Sequence, residues 1–70
     1  MNYTEELKVA GISYLKHISM KNSMDSDTVE DAIVDFSETF DRMGRGEDVD
    51  PWGAMLVIQI IEIIQKKDVD

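Results

Sequence analysis

Carboxylates are the side chains of this chain whose number and spacing could support chemistry. The sequence has 15 aspartate and glutamate residues among 70, with one histidine and no cysteine. Carboxylates can act as general acids and bases, bind calcium, or attract a basic partner. The first two uses require particular arrangements, and the sequence can be tested for each.

A calcium site is not predicted by the spacing of the acidic residues. An EF-hand loop needs oxygen ligands at alternate positions, a central glycine and a glutamate at position twelve. Starting from Asp25, the sixth residue is Glu30 and the twelfth is Phe36; starting from Asp41, the twelfth is Trp52. Neither register fits. Without cysteine, and with a single histidine, no other metal centre is expected, and no cofactor motif is present.

Catalysis is also not expected. Carboxylates that act as acids and bases need a concave pocket that perturbs their pKa values. A chain of this length forms one small domain, and three short helices rarely enclose such a pocket. Paired acids on an exposed helix face are solvated charges. We therefore predict that the protein is not an enzyme.

The negative charge is confined to one part of the chain. Residues 22–50, here called the acidic segment, hold ten acids and two arginines, a net charge of −8, whereas the remainder has five acids and five lysines. Such a field repels nucleic acid and anionic lipid and attracts basic protein surfaces. We expect a basic protein partner, no nucleic acid and no membrane. Solubility alone is the alternative explanation of the charge.

The run from Asp25 to Met43 predicts an amphipathic helix with an apolar stripe and an opposite acidic face. The acidic face comprises Asp27, Glu30, Asp31, Glu38 and Asp41, with Asp35 at its edge. Val34 points into the middle of this face. An isolated exposed valine is common, but a lone apolar residue among carboxylates is also typical of a docking patch. The predicted docking residues are Asp27, Glu30, Asp31, Val34, Asp35 and Glu38. Asp27 and Glu30 also have the spacing of a capping box, which is a structural alternative for both.

The elements that would position these residues are helices in a single domain, residues 1–70. We predict an all-α bundle of three, or at most four, helices, at about residues 3–21, 27–43 and 51–67. Thr4 can cap the first helix, Gly44 and Gly46 can end the second, and Asp50-Pro51 is a strong start signal for the third. No signal-peptide pattern or membrane span is recognised, so a cytoplasmic location is expected.

The third helix carries more apolar surface than one core face can cover. Its β-branched residues raise a strand alternative, but its polar residues recur at three- and four-residue steps, which favours a helix. Two-fold self-association would bury the excess, and a hetero-partner or a continuation of the chain would serve equally well. We predict a homodimer whose interface contains Val9, Ile12, Leu56, Ile60, Ile63 and Ile64.

Residues 11–40 resemble the amino-terminal homodimerisation domain of the small glutamine-rich tetratricopeptide-repeat co-chaperones. The resemblance rests on Tyr14-Leu15 in the first helix, on the run DTVEDAI at residues 27–33, and on Glu38-Thr39-Phe40. It implies a helical dimer whose acidic second helix binds a basic ubiquitin-like domain, in tail-anchored protein targeting and quality control. Asp27, Asp35 and Glu38 would be the acidic contacts.

Two functions remain open at this point. The first is a homodimeric adaptor that docks a basic ubiquitin-like domain through the second helix. The alternative is a small phage-type inhibitor or nucleic-acid mimic that binds a basic host protein. Mimicry favours carboxylates spread along a rod, whereas here they cluster on one predicted helix.

Overall fold

Three α-helices make up most of the chain in the computed structural model, which describes residues 3–69 and the side chains of residues 3–66. Helix α1 spans Glu5–Lys21, α2 spans Ser26–Gly44 and α3 spans Pro51–Val69. Each helix contacts the other two, and no strand occurs among the described residues. The predicted all-α three-helix bundle is confirmed. Short turns at residues 22–25 and 45–50 make consecutive helices antiparallel.

The starts of the first two helices are set by side-chain caps. The Thr4 hydroxyl accepts a hydrogen bond from the amide of Leu7 at 3.2 Å, as expected. Helix α2 is capped by Asp25, whose carboxylate accepts from the amide and the hydroxyl of Thr28 at 3.4 and 3.1 Å. The predicted capping box at Asp27 is therefore wrong, and Asp27 lies in the first turn without a capping role.

The ends of α1 and α2 share one turn geometry. After α1, the amides of Ser23 and Met24 donate to carbonyls of the last turn at 3.2 and 2.9 Å; after α2, those of Gly46 and Glu47 do so at 3.1 and 2.9 Å. This is the Schellman arrangement, which needs a residue with positive φ. Gly46 adopts φ 76°, and Ser23 adopts φ 54°. The serine takes a conformation that favours glycine.

The core is centred on Phe36, whose ring lies against Gly11 of α1 and belongs to one buried cluster with residues of α3. Its ring is fully buried and lies 5.8 Å from the ring of Phe40. A Cβ built on Gly11 would lie only 2.3 Å from the Phe36 Cζ, so the glycine makes room for the ring. The absence of a side chain at Gly11 therefore allows the Phe36 ring to pack directly against α1. The buried hydrophobic residues are Phe36, Phe40, Val57, Ile60 and Ile61.

Helix α3 leaves part of its apolar surface uncovered. Val57 and Ile61 are fully buried, while Trp52, Leu56 and Ile63 are 77%, 38% and 40% exposed. Met55 is 50% exposed as well, but it lies about 60° from Trp52 around the helix, away from Leu56. Trp52, Leu56 and Ile63 fall within about 40° of one another, at roughly 100° per residue. They form a single stripe, here called the α3 edge. Within the described part of the chain, no helix is both long enough and apolar enough to cross a membrane.

Candidate functional site

The predicted docking residues all lie on the surface of α2. Each of the six is exposed, and Val34 is 51% exposed. Helix α2 turns its aromatic residues, Phe36 and Phe40, into the core, which leaves the opposite side to solvent. The side chains predicted to meet a partner are therefore accessible in a single copy of the chain.

Most carboxylates of the acidic segment have no basic partner among residues 3–66. The ion pairs in this part of the chain are Lys8–Asp41, with Nζ and Oδ2 3.1 Å apart, and Arg45–Glu47. Neither pair uses a docking residue. The charge on the exposed surface of α2 is thus left for solvent or for a partner to neutralise.

The Arg45–Glu47 pair is a local contact within the loop. The hydrogen bond from the Arg45 guanidinium lowers the pKa of the Glu47 carboxyl, and the same bond raises the pKa of Arg45. Both side chains are exposed, and they lie in the turn between α2 and α3. The pair joins two residues of the turn and involves no carboxylate of α2.

The docking residues do not form one continuous surface. Asp27, Asp31, Val34 and Glu38 fall within about 60° of one another on the outer side of α2, at roughly 100° per residue. Glu30 instead lines a groove toward α1, and Asp35 lines a cleft toward α3. The four outer residues are called the outer face below. The structure keeps these four together and assigns the other two to opposite sides of the helix.

The groove between α1 and α2 is largely apolar. It has a volume of about 400 Å³ and is here called the methionine groove, because Met20 and Met24 border it and are 82% and 42% exposed. Methionine adapts its shape to varied partners. The groove is lined by Lys16, Ser19, Met20, Ser23, Met24, Ser26, Val29, Glu30 and Ile33.

The cleft between α2 and α3 combines an exposed indole with carboxylates. It has a volume of about 380 Å³ and is here called the tryptophan cleft. Gly53 allows the helices to approach, since a Cβ there would lie 3.2 Å from the Thr39 hydroxyl oxygen. The cleft is lined by Asp35, Thr39, Asp50, Trp52, Gly53 and Leu56.

The predicted dimer interface is divided by the fold. Ile60 is 4% exposed and belongs to the core, so its assignment to an interface is wrong: it packs inside a single copy. Ile12 and Ile64 are partly buried and pack against the same core. Val9, Leu56 and Ile63 are exposed.

The exposed members of that set lie on different sides of α2. Val9 lies within about 20° of Lys16 around α1, and Lys16 borders the methionine groove. Leu56 borders the tryptophan cleft. The apolar residues predicted to meet a second copy therefore form two separate patches.

Three functional candidates were missed by the sequence reasoning. Asp50 was assigned to helix capping, Trp52 was given no role in a site, and Thr39 was named only as part of the Glu38-Thr39-Phe40 run on which the resemblance rests. The signal available for Trp52 was its offset of four residues from Leu56 and eleven from Ile63, which defines a stripe apart from Val57 and Ile61. Thr39 had no comparable signal.

The described residues contain no group of three or more acidic or histidine side chains that could hold a metal ion. The site is therefore a surface of unpaired charge flanked by two grooves. Comparisons with protein-family models, with curated proteins and with solved structures find no match to this chain.

Proposed function

We propose that this domain is an adaptor that binds a basic protein domain through the outer face of α2. The observation that carries the proposal is that Val34 lies exposed among Asp27, Asp31 and Glu38, none of which has a basic partner among residues 3–66. An apolar centre ringed by charge is the arrangement of a docking patch. The charge would steer a basic partner, and the valine would be buried on contact.

The partner class is a ubiquitin-like domain with a basic surface. The support for this class is the resemblance of residues 11–40 to the co-chaperone domains, which implies Asp27, Asp35 and Glu38 as contacts. Asp27 and Glu38 belong to the outer face, and Asp35 lies beside it in the tryptophan cleft. The role would be that of a cytoplasmic co-chaperone in tail-anchored protein targeting and quality control. A nucleic-acid mimic is less well supported, because the outer-face carboxylates lie on one side of one helix.

A salt-dependent titration tests the proposal. A basic ubiquitin-like domain is titrated into the labelled protein at low and high salt, and affinity should fall steeply as salt rises. Asp31→Lys combined with Glu38→Lys should weaken binding by more than about tenfold. Glu62→Lys on α3 is the control for a charge reversal away from the outer face, since Glu62 is also exposed.

Val34 has a matched control on another helix. Val34→Lys should weaken binding by about tenfold, whereas Val9→Lys should leave it unchanged, because the two valines are 51% and 54% exposed but only Val34 lies on α2. Binding that is insensitive to salt, or equal losses from the two valine variants, would contradict the proposed function.

Homodimerisation is the second candidate for the apolar surface. Leu56 and Ile63 remain exposed, and burial of such surface is favourable by about 25 cal/mol per Å². A two-fold contact that pairs the Trp52 ends of the two α3 edges would, however, bring Asp35 and Asp50 of both copies together, and like charges repel. Sedimentation decides: a dimer that dissociates in Leu56→Lys supports self-association, and a monomer excludes it.

A further inference from the structure

We propose that the tryptophan cleft is an anchoring site for an arginine side chain of the basic partner. The inference rests on the proposed function, which makes the partner basic. It assigns Asp35 to a contact in the cleft between α2 and α3, beside the outer face of α2. The carboxylates of Asp35 and Asp50, the hydroxyl of Thr39 and the indole of Trp52 surround one cleft of about 380 Å³.

The indole is largely exposed in the single chain. Trp52 is 77% exposed, because it lies on the α3 edge, about 140° around the helix from the buried Val57. Leu56 and Ile63 continue the same stripe. Exposed tryptophan beside a cleft is typical of protein contacts, where the ring supplies a large rigid surface.

The charge of the cleft selects the occupant. Two of its lining residues are acidic and none is basic. Within residues 3–66, neither Asp35 nor Asp50 takes part in a side-chain hydrogen bond or an ion pair. An apolar occupant alone would desolvate both carboxylates without compensation, which is costly. A positively charged occupant compensates for this cost most fully, because charge-assisted hydrogen bonds to carboxylates are stronger than those from neutral donors.

Arginine fits this combination better than lysine. Its planar guanidinium stacks on an indole face and donates several hydrogen bonds to carboxylates at once. It is also more weakly hydrated than an ammonium group, so less is lost when it enters the cleft. The aliphatic part of the side chain would pack against Leu56. A single aromatic ring among the lining residues does not make a cage for methylated lysine.

The test uses a short helical peptide as the probe. The peptide is alanine-rich, acetylated and amidated, with one arginine between two leucines on one face and a fluorescein label. A second peptide carries citrulline, which is neutral and of the same shape, in place of the arginine. The arginine peptide should bind about tenfold more tightly by anisotropy. Trp52 is the only tryptophan, so the fluorescence of the unlabelled mixture, excited where tryptophan absorbs and tyrosine does not, reports on the cleft.

Matched variants locate the binding. Asp35→Asn with Asp50→Asn should weaken binding of the arginine peptide by about tenfold and abolish its preference over citrulline. Asp31→Asn with Glu38→Asn removes the same charge from the outer face and should cost less than about threefold. Trp52→Leu should cost about fivefold, and Trp52→Phe should recover part of the loss, because a ring face is restored.

The outcomes separate this inference from the proposed function. Equal binding of the two peptides, or arginine-peptide binding without a change in Trp52 fluorescence, would overturn the arginine site. If the ubiquitin-like domain still binds through Val34 in that case, the proposed function stands. If the peptide behaves as expected but the ubiquitin-like domain does not bind, the site stands and that partner class is wrong. A dimer that buries Trp52 would also overturn the inference.

Discussion

The two sides of α2 face grooves of similar size but different charge. The methionine groove has one basic and one acidic lining residue, Lys16 and Glu30, and is otherwise apolar or neutral. The tryptophan cleft has two acidic lining residues and no basic one. One helix thus presents a neutral apolar surface on one side and an acidic aromatic surface on the other. Charge, more than volume, determines which kind of partner each side suits.

The packing beneath the two sides differs in the same way. On the α1 side, Gly11 meets the fully buried ring of Phe36; on the α3 side, Gly53 meets Thr39, which is only partly buried. The Phe36 ring is enclosed by the core and cannot shift, whereas Thr39 at the edge of the cleft can. The α1 side should therefore be rigid, and the α3 side should tolerate change.

The largest effect is expected for truncation of Phe36, the fully buried ring at the centre of the core. Phe36→Ala should destabilise the fold by about 3–5 kcal/mol, because the lost ring leaves a cavity at the centre of the core. Chemical denaturation measures the loss. At about 0.05–0.15 kcal/mol per residue, a domain of this length has little stability in excess of that. Phe36→Leu, with a smaller cavity, keeps the measurement possible if the alanine variant is unfolded.

Val34→Ala is the control for that substitution. Val34 lies on α2 two residues away but is exposed, so its truncation should change stability by less than about 0.5 kcal/mol. Comparable losses from the two variants would mean that the faces of α2 are assigned incorrectly.

Two glycine-to-alanine substitutions compare the α1 side and the α3 side of α2 directly. Gly11→Ala should destabilise by about 1–3 kcal/mol, because overpacking against the Phe36 ring exceeds the gain of about 1 kcal/mol in helix propensity. Gly53→Ala should lie within about 1 kcal/mol of the wild type, since Thr39 can yield by a few tenths of an ångström. Thermal unfolding of both variants gives the comparison.

A double variant identifies the cause of the Gly11 effect. In a Phe36→Leu background, Gly11→Ala should cost less than it does alone, because the added methyl group then occupies space that the ring has left. Additive losses would show that the Phe36 ring does not cause the destabilisation by Gly11→Ala. They would contradict the proposed difference in rigidity between the α1 and α3 sides of α2.

The turns that follow α1 and α2 offer a test in which two substitutions should have smaller effects of opposite sign. Ser23→Gly should stabilise by about 0.5–1 kcal/mol, because serine at φ 54° is strained, and Gly46→Ser should destabilise by a similar amount at φ 76°. Urea midpoints of the two variants measure both changes. If both substitutions shift stability in the same direction, backbone conformation does not control these turns.

The helices were predictable because their signals are local. Thr4 and Pro51 mark starts that depend on adjacent residues alone, and the bounds of all three helices were expected to within two residues. The error at the start of α2 is instructive. Asp25 and Asp27 are each followed, three residues later, by a side chain that suits a cap. The choice depends on how the preceding turn folds, with Ser23 at positive φ, and the sequence pattern does not contain that geometry.

The site was predictable only in part, since it depends on where neighbouring helices lie. The exposure of Val34 follows from periodicity, because it lies opposite the aromatic stripe of α2. Leu56 and Ile60 differ by only about 40° around α3, yet one borders a cleft and the other is in the core. A helical wheel gives the width of an apolar stripe but not which edge the neighbouring helix covers. The tryptophan cleft could not be inferred for the same reason.

The smallest expected effect concerns the loop between α2 and α3. Glu47→Gln removes the ion pair with Arg45, an exposed contact that is screened by solvent and salt. The bond from Arg45 holds the pKa of Glu47 below its usual value of 4.5. The folded state therefore releases this proton more readily than the unfolded state. The stabilisation is present above the unfolded pKa and is lost as the pH falls through the folded pKa.

The variant should accordingly be slightly less stable than the wild type near pH 7, and the difference should be smaller near pH 3, because the stabilisation from the lowered pKa is lost as the pH falls below the usual value of 4.5. Denaturation midpoints at the two pH values measure the difference, and added salt should reduce it. Asp48→Asn, one residue away, is the control because Asp48 forms no ion pair among the described residues. A difference in stability that widens at acid pH would contradict the lowered pKa of Glu47 in the folded state.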